Sequence, residues 1–272
     1  MKATLTVLGS GTSMGVPTIG CDCEVCHSSD PKDKRTRPSV LIEYNGRSVI
    51  IDTTPDFREQ AIRENIRTLD AVLYTHTHAD HLLGIDDLRP LSFLHKPSRM
   101  PLYAHPDAAE FIRKMFGYIF NANYKFGGLP HVELKPINGP VELFGARFEP
   151  IVLIHGEAEI YGFRFGSAAY LTDHSEIPEA SLDKLQGLDV LFLDALRYKP
   201  HPTHSTVENS LQTVERLKPR RAFFTHICHD LPHEETNANL PENVKLSYDG
   251  MKLEFEISVW DRRGRLSPHG SI

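Results

Sequence analysis

The sequence predicts a mixed α/β (α+β) chain folded as one domain, with two β-sheets sandwiched between helices. Three observations carry this. Short apolar runs recur along the whole chain, each closed by glycine or by polar residues, as buried strands are. Segments with helical spacing, such as PDFREQAIRENI (55–66) and TVENSLQTVERLK (206–218), fall between them. The second half repeats the style of the first, with no linker and no short-period repeat.

The elements follow in order. ATLTVLGS (3–10) alternates apolar and polar residues and stops at glycine, so it is a strand feeding a loop. SVLIEYNGRSVIIDTT (39–54) is two β-rich runs around Asn45-Gly46, a hairpin. The helix over 55–66 opens with proline and aspartate. LDAVLYT (69–75) is a buried strand, MPLYAH (100–105) another, and PDAAEFIRKMFGYIF (106–120) a helix. Turn formers and aromatics make 121–140 a long loop. VELFGARFEPIVLIHG (141–156) reads as strand, turn, strand, and IYGFRFGSAAYLTDHSE (160–176) as a hairpin. LDVLFLDAL (188–196) is a buried strand, 206–218 an amphipathic helix, RRAFFTHI (220–227) a strand, and KLSYDGMKLEFEI (245–257) a hairpin around Asp249-Gly250. The domain is expected to span 1–260, with a frayed polar tail over 261–272.

The chain has 272 residues, 40 % hydrophobic and 24 % charged, and a formal charge of -6. That is enough apolar material for a sizeable core, and there is no global basic field to recruit nucleic acid. No apolar run approaches the ~18 residues of a membrane span. MKATLTVLGSGTSMG turns into a glycine loop too early for a signal peptide, so a cytoplasmic protein is expected. Three of the four cysteines, Cys21, Cys23 and Cys26, crowd into CDCEVC. That is too close for an ordinary disulfide framework, and in a reducing compartment such a cluster binds metal.

The ends of the strands carry the chemistry. AVLYT runs into THTHADH, which delivers His76, His78, Asp80 and His81 within seven residues. PIVLI ends in His155, AAYLT in Asp173 and AFFT in His226. A lone histidine after a strand is ordinarily a hydrogen-bonded structural residue. Imidazole and carboxylate at four strand ends are hard to explain that way. These ligands suit zinc, manganese or iron. Aspartate bridges two cations well, and Asp173 is the candidate bridge. Two metals about 3.5–4 Å apart hold a hydroxide between them and clamp a phosphoryl or carbonyl group.

THTHADH followed by His155, Asp173 and His226 resembles the metallo-β-lactamase superfamily, from the LGSGTSMG loop to the last histidine strand. The resemblance implies a four-layer αββα sandwich with a dinuclear site. It implies that His76, His78 and His155 hold one metal, that Asp80, His81 and His226 hold the other, and that Asp173 bridges. Two divalent ions, manganese or zinc, with iron also fitting, are therefore expected.

Two further features narrow the resemblance. The loop GCDCEVCHSSDPKDKRTRPS (20–39) offers three thiolates, one ligand short of a closed tetrahedral zinc site. His229, three residues after His226, is a sensible fourth ligand, and Cys228 competes with it. A structural zinc bound over about 20–38 would pin this loop to the site. In HSTVENS, His204 stands just before a helix that Ser205 or Thr206 can cap. In ribonuclease Z-like branches a histidine in such an H-x-T loop donates a proton to the leaving oxygen or binds phosphate. Together these features resemble the cyclic phosphodiesterases of phosphonate breakdown.

That resemblance implies a hydrolase of a small phosphorylated substrate such as a phosphoribosyl cyclic phosphate. A hydroxide between the metals attacks phosphorus, and His204 and Asp80 are assigned to catalysis, His204 as general acid. Asp52, ending SVIID, is expected to orient a ligand imidazole; its alternative is a turn-forming role. Arg89 is a candidate phosphate contact or, as such residues commonly are, half of a surface ion pair. The rings of Phe116, Tyr118, Phe120, Tyr124 and Phe126 are candidates for a lid, with core packing expected for at least half. A tRNA-processing endonuclease is the rival enzyme, disfavoured by the lack of a basic, glycine-rich arm and by the negative charge. A non-hydrolytic coenzyme-biosynthesis protein of the same fold is the other rival, disfavoured by the complete ligand set. No membrane or nucleic-acid partner is expected, and a homodimer is allowed.

Overall fold

The structure, a computed structural model, describes residues 1–121 and 128–257. Two seven-stranded sheets face one another. The first holds β1 (Lys2–Gly9), β2 (Ser39–Tyr44), β3 (Arg47–Ile51), β4 (Ala71–Leu73), β5 (Met100–Ala104), β6 (Val132–Pro136) and β14 (Lys252–Glu256), in the order β14-β1-β2-β3-β4-β5-β6. The second holds β7 (Val141–Leu143), β8 (Ala146–His155), β9 (Ala158–Phe165), β10 (Ala168–Leu171), β11 (Val190–Asp194), β12 (Arg221–Thr225) and β13 (Val244–Leu246), in the order β13-β12-β11-β10-β9-β8-β7.

The side-chain period of two explains the layering. On β2, Val40 and Ile42 enter the core between the sheets, where they join Phe148, Phe163, Tyr170 and Phe192 of the second sheet. Leu41 and Ile50 point the other way, into a core shared with α2 (Phe57–Arg63) and α5 (Pro106–Met115). On β11, Leu191 and Leu193 face α6 (Glu179–Asp183) and α7 (Val207–Leu217). Strands buried on both faces read as continuous apolar runs. The result is the αββα sandwich.

Strand direction decides where the chemistry lies. β3, β4, β5 and β6 are mutually parallel, as are β10 through β13. β8 runs with β10 because each pairs antiparallel with β9. The carboxyl ends of β3, β4, β8, β10, β11 and β12 therefore gather at one edge of the sandwich.

Three expectations need correction. The long loop over 121–140 contains β6, whose short Val132–Glu133–Leu134 alternation is hidden among prolines and glycines. The helix expected over 106–120 ends at Met115, two residues before Gly117. The segment 245–257 is not a hairpin, since β13 pairs with β12 in one sheet and β14 with β1 in the other. Asp249 makes the crossing: its carboxylate accepts from the backbone and hydroxyl of both Ser10 and Thr36, at 2.6–2.9 Å. The tail over 261–272 lies outside the described residues. No described helix is long and apolar enough to cross a membrane.

A further helix, α8 (His233–Asn239), begins at a buried histidine. Burial, reinforced by Lys32 and Arg35, pushes the His233 pKa from 6.5 down to about 4. Between those values the unfolded chain binds a proton that the folded chain refuses, so stability falls with acid across that window. Thermal melts should show His233→Gln losing less Tm than the parent between about pH 7 and about pH 4.5. Equal losses would show that His233 does not titrate against the fold.

Candidate metal centre

Each strand at the shared edge ends in a polar side chain, and three of them do so with a strained backbone. Asp52 after β3, Asp173 after β10 and His226 after β12 have φ values of 68, 57 and 57°. Non-glycine residues adopt that left-handed region at a cost of order 1–3 kcal/mol, which the surrounding structure must over-determine. The turn after β4 is formed by α3 (Ala79–Leu82), which starts inside THTHADH and points Asp80 and His81 inward. Thr53 grips it, donating to the carbonyl of His81 and accepting from Gly84, at 2.9 and 3.0 Å. Gly84 is required there, because a Cβ would lie 2.1 Å from the Thr54 carbonyl oxygen.

The seven expected ligands converge. The donor atoms of His76, His78 and His155 lie within 4.8 Å of one another, and so do those of Asp80, His81, Asp173 and His226. The Asp173 carboxylate stands between the groups. One oxygen is 3.2 Å from His81 Nε2, and the other is 3.1 Å from His226 Nε2 and 4.0 Å from His76 Nε2. Asp80 lies 3.3 Å from His81 Nε2 and 3.4 Å from His226 Nε2.

Electrostatics favour cations at this spot. Asp80 and Asp173 are buried, and buried carboxylates need positive charge. Burial disfavours protonated imidazole at His81 and His226, yet the neighbouring carboxylates outweigh it: His81 rises well above its ordinary value and His226 to about 9. At His76 burial prevails and the pKa falls well below its ordinary value. Among the described residues, the buried Nε2 atoms of His76 and His81 have no hydrogen-bond partner. Five imidazoles, two carboxylates and orphaned nitrogens aimed at a common centre fit two divalent ions, with Asp173 able to touch both.

Behind the ligands stand supporting groups. Asp52 accepts from Thr75 through both oxygens at 2.8 Å and lies 2.7 Å from His81 Nδ1, so it orients that ring. His155 Nδ1 donates to the Thr203 carbonyl at 2.7 Å. His204 lies in the loop before α7, and Thr206 caps that helix by accepting from Asn209 N–H at 3.1 Å. Its ring stacks on His226 with centroids 4.5 Å apart, and its Nδ1 sits 2.8 Å from Asp194. Asp194, at the end of β11, went unrecognised in the sequence; the rule that found the ligands, an apolar strand closing on a carboxylate, would have found it in VLFLD.

For Arg89 and the aromatic rings the structure follows the commoner of the two readings. Arg89, at the start of α4 (Arg89–Ser92), is not brought to the ligands; it pairs with Asp86 at 2.5 Å, while Tyr118 donates to the other Asp86 oxygen at 2.9 Å. Of the suggested lid rings, Phe116 and Phe120 pack into the helix–sheet core, Tyr118 is half exposed, and Tyr124 and Phe126 lie outside the described residues.

The cysteine loop forms a second cluster. Cys23 caps the short α1 (Glu24–His27), which places Cys26 back beside it. The sulfurs of Cys21, Cys23 and Cys26 stand 3.2, 3.5 and 3.4 Å from His229 Nδ1. Ligand arms of about 2.3 and 2.0 Å at tetrahedral angles give edges of about 3.5 Å, so the four atoms suit zinc. Cys228 is not among them; its sulfur accepts from the Asp230 N–H.

Arg35, fully buried, ties the two clusters together. It donates to the carbonyls of Cys228 and Leu231 at 2.8 and 2.6 Å and to Asp33 at 2.9 Å, so it grips the loop carrying both His226 and His229. Removing one partner of a buried, hydrogen-bonded ion pair costs about 3–5 kcal/mol. Arg35→Met should lose about that much in denaturant unfolding. A loss below about 1 kcal/mol would show the contact to be dispensable.

The comparisons agree with this geometry. The family model described as "Beta-lactamase superfamily domain" matches residues 47–227, more than half of the chain. A solved structure described as a new diphosphatase from the PhnP family is 60 % identical, superposes with a TM-score of 0.90, and covers 94 % of this chain and 98 % of its own. An octanoyltransferase of Porphyromonas gingivalis is 39 % identical over 252 residues, covering 90 % of this chain and 50 % of that protein. A ribonuclease Z of Bradyrhizobium diazoefficiens is 27 % identical over 151 residues, covering 52 % of this chain and 48 % of that protein. The chain thus spans about half the length of these curated relatives. With the ligand-bearing strand ends, the sandwich and the matched family in agreement, the chain belongs to the metallo-β-lactamase superfamily, as a PhnP-like member of it.

Proposed function

We propose that this protein is a metal-dependent hydrolase of small phosphodiesters, acting on a cyclic phosphate of a ribosyl unit. The observation that carries the reading is the Asp194–His204 pair set beside the seven-ligand cluster. His76, His78 and His155 would hold one divalent ion and Asp80, His81 and His226 a second, with Asp173 shared. When bound, such ions neutralise a phosphate and make water acidic enough to attack it at neutral pH.

The remaining chemistry belongs to the protein. Asp194 accepts from His204 Nδ1–H, which fixes the orientation of the ring. Nε2 is then the nitrogen left for the site, and it holds the transferable proton when the ring is protonated. As the bond from phosphorus to the leaving oxygen breaks, that oxygen takes the His204 proton, and the proton lost by the attacking water restores it. Asp52 and Thr203 keep the ligand rings of His81 and His155 from turning.

A second reading is hydrolysis of a diphosphate linkage, favoured by the description of the 60 % identical neighbour as a diphosphatase. It asks for the same groups, since either substrate loses an oxygen leaving group from a negatively charged phosphorus centre. The ribonuclease Z relatives support phosphodiester chemistry, and the octanoyltransferase supplies the rival reading, transfer of an octanoyl group, which an octanoyl thioester would probe. Turnover of ribosyl cyclic phosphates, nucleoside diphosphate conjugates, precursor tRNA and octanoyl thioester under defined metals decides among them. Turnover of the thioester alone would overturn the proposal.

Metal content supplies a further test. Protein purified without chelator should carry three metals per chain, two at the histidine–aspartate cluster and one at the cysteines. Cys23→Ser should lose one of them and melt at lower temperature, because a structural zinc contributes folding energy. Asp173→Ala should lose turnover with the cysteine-bound metal retained. One metal per chain at full activity would sink the assignment.

Removal of the general acid should matter most for a poor leaving group. His204→Ala should lower kcat by about 10²–10⁴ on a ribosyl cyclic phosphate, the range for a positioned acid, and far less on bis(p-nitrophenyl) phosphate. Equal losses on both would assign His204 to phosphate binding instead.

A further inference from the structure

The thiol cluster sits at the surface, unlike Asp80, His81, Asp173 and His226, all of which are buried. Cys21 and Cys23 are half-buried, and Cys26 is buried. The His229 side chain is 27 % exposed, and that of Asp22, between the first two thiols, 98 %. The four ligand atoms all lie within 4.8 Å of one another. Cys23 and Cys26 are one helical turn apart, with the Cys26 N–H donating to Cys23 Sγ at 3.5 Å. Adjacent thiolates within reach of solvent are the groups a soluble oxidant attacks first.

The sulfurs are also the centre of the loop that carries them. Its own small apolar core is Val16, Val25 and Cys26, with Cys21 and Cys23 packed against them. Thr18 N–H donates to Cys26 Sγ at 3.3 Å, and Lys34 Nζ donates to the Cys26 carbonyl at 3.1 Å. A change at the sulfurs therefore unsettles the whole stretch 16–34. Both flanks of that stretch brace the backbone after His226. Before it, Ile227 N–H donates to the Ser10 carbonyl at 2.9 Å, and Thr12 N–H to the Ile227 carbonyl at 3.1 Å. After it, Arg35 holds the carbonyls of Cys228 and Leu231. His229 adds a third tie, three residues from His226.

Resting on the reading of both clusters as metal sites and of one as hydrolytic, we propose that the cysteine cluster is a redox-sensitive switch on the histidine–aspartate cluster, thrown by a peroxide. The more open Cys23 thiolate attacks one peroxide oxygen. An S–O bond forms, the O–O bond breaks, and the departing oxygen takes a proton from solvent and leaves as water. The Cys26 thiolate then attacks Cys23 Sγ. The S–S bond forms, the S–O bond breaks, and the second oxygen leaves as water with a second proton. Two thiolates are oxidised and one peroxide is reduced. A disulfide holds its sulfurs about 2.05 Å apart and uncharged, so the pair no longer serves two corners of a tetrahedral site. His229 loses its anchor, and the backbone carrying His226 loosens. A thiol reductant reverses the step by exchange.

The test titrates metal-loaded protein with hydrogen peroxide. A chromophoric chelator should read release of the cysteine-bound zinc, and the peptide carrying Cys23 and Cys26 should lose two hydrogens in mass. Amide exchange over 226–231 should quicken by about tenfold or more, while that of β11 stays unchanged. Turnover of bis(p-nitrophenyl) phosphate should fall by about 10–100-fold, the scale for a disturbed support of a metal ligand. A thiol reductant with added zinc should restore all four readings. Cys228→Ser should respond as the parent does; a lost response there would place the oxidation at Cys228 and overturn the pair. Zinc retained under peroxide, zinc released with exchange over 226–231 unchanged, or a loss that thiol and zinc do not reverse would each overturn the switch. Protein that holds no metal at the cysteines would overturn switch and site together. An enzyme inert to every diester would sink the hydrolase reading alone, because zinc release and exchange need no turnover.

Discussion

Two carboxylates buried where the sheets meet set the terms for everything around them. Asp80 and Asp173 are 7 % and 1 % exposed. An uncompensated charge at that depth costs several kcal/mol. His81 and His226 answer this cost with positive charge, and Asp52 fixes the orientation of His81 from its far side. A pair of divalent ions meets the same demand more completely than protons can. The strained backbones at Asp52, Asp173 and His226 belong to the same account, because only a tightly held strand end keeps such a conformation.

The N-terminal loop is the second level of this arrangement. Its cysteines sit far from the ligands in sequence, yet His229 lies three residues beyond His226. Arg35 joins the two by bonding to carbonyl oxygens of the same loop. Gly11 and Ile227 form a further bridge between the glycine loop and that segment. The cysteine cluster and the histidine–aspartate cluster therefore share one short stretch of backbone, so disorder in one is felt in the other. The thiol cluster offers four protein ligand atoms, the full count of a closed tetrahedral site, while His204 stands beside the other cluster.

Different elements surround the ligands. On one side a capped helix and Asp194 hold the His204 ring in place. On another, α5 and the start of β9 wall a cavity that opens on His76, His78 and His155. The superfamily's metal ligands set the type of bond that can be broken. The loops around them set which molecule is brought there, which is why one fold serves many substrates.

The sequence by itself determined most of the strands, the sandwich and the histidines and aspartates that converge at its edge, because a buried strand must be apolar and must end where a polar residue is tolerated. THTHADH, His155, Asp173 and His226 are legible for that reason, and Cys21, Cys23 and Cys26 by their spacing. Tertiary structure alone decided the rest. Asp249-Gly250 has the composition of a hairpin turn, yet long-range hydrogen bonds to Ser10 and Thr36 send its flanks to different sheets. Arg89 has the chemistry of a phosphate ligand but meets Asp86 first. His229 was one of two candidates until the fold brought it, and not Cys228, to the thiols. Arg35 carries no local signature: its role comes from the carbonyls of Cys228 and Leu231, 193 and 196 residues away, and such pairings exist only once the chain has packed.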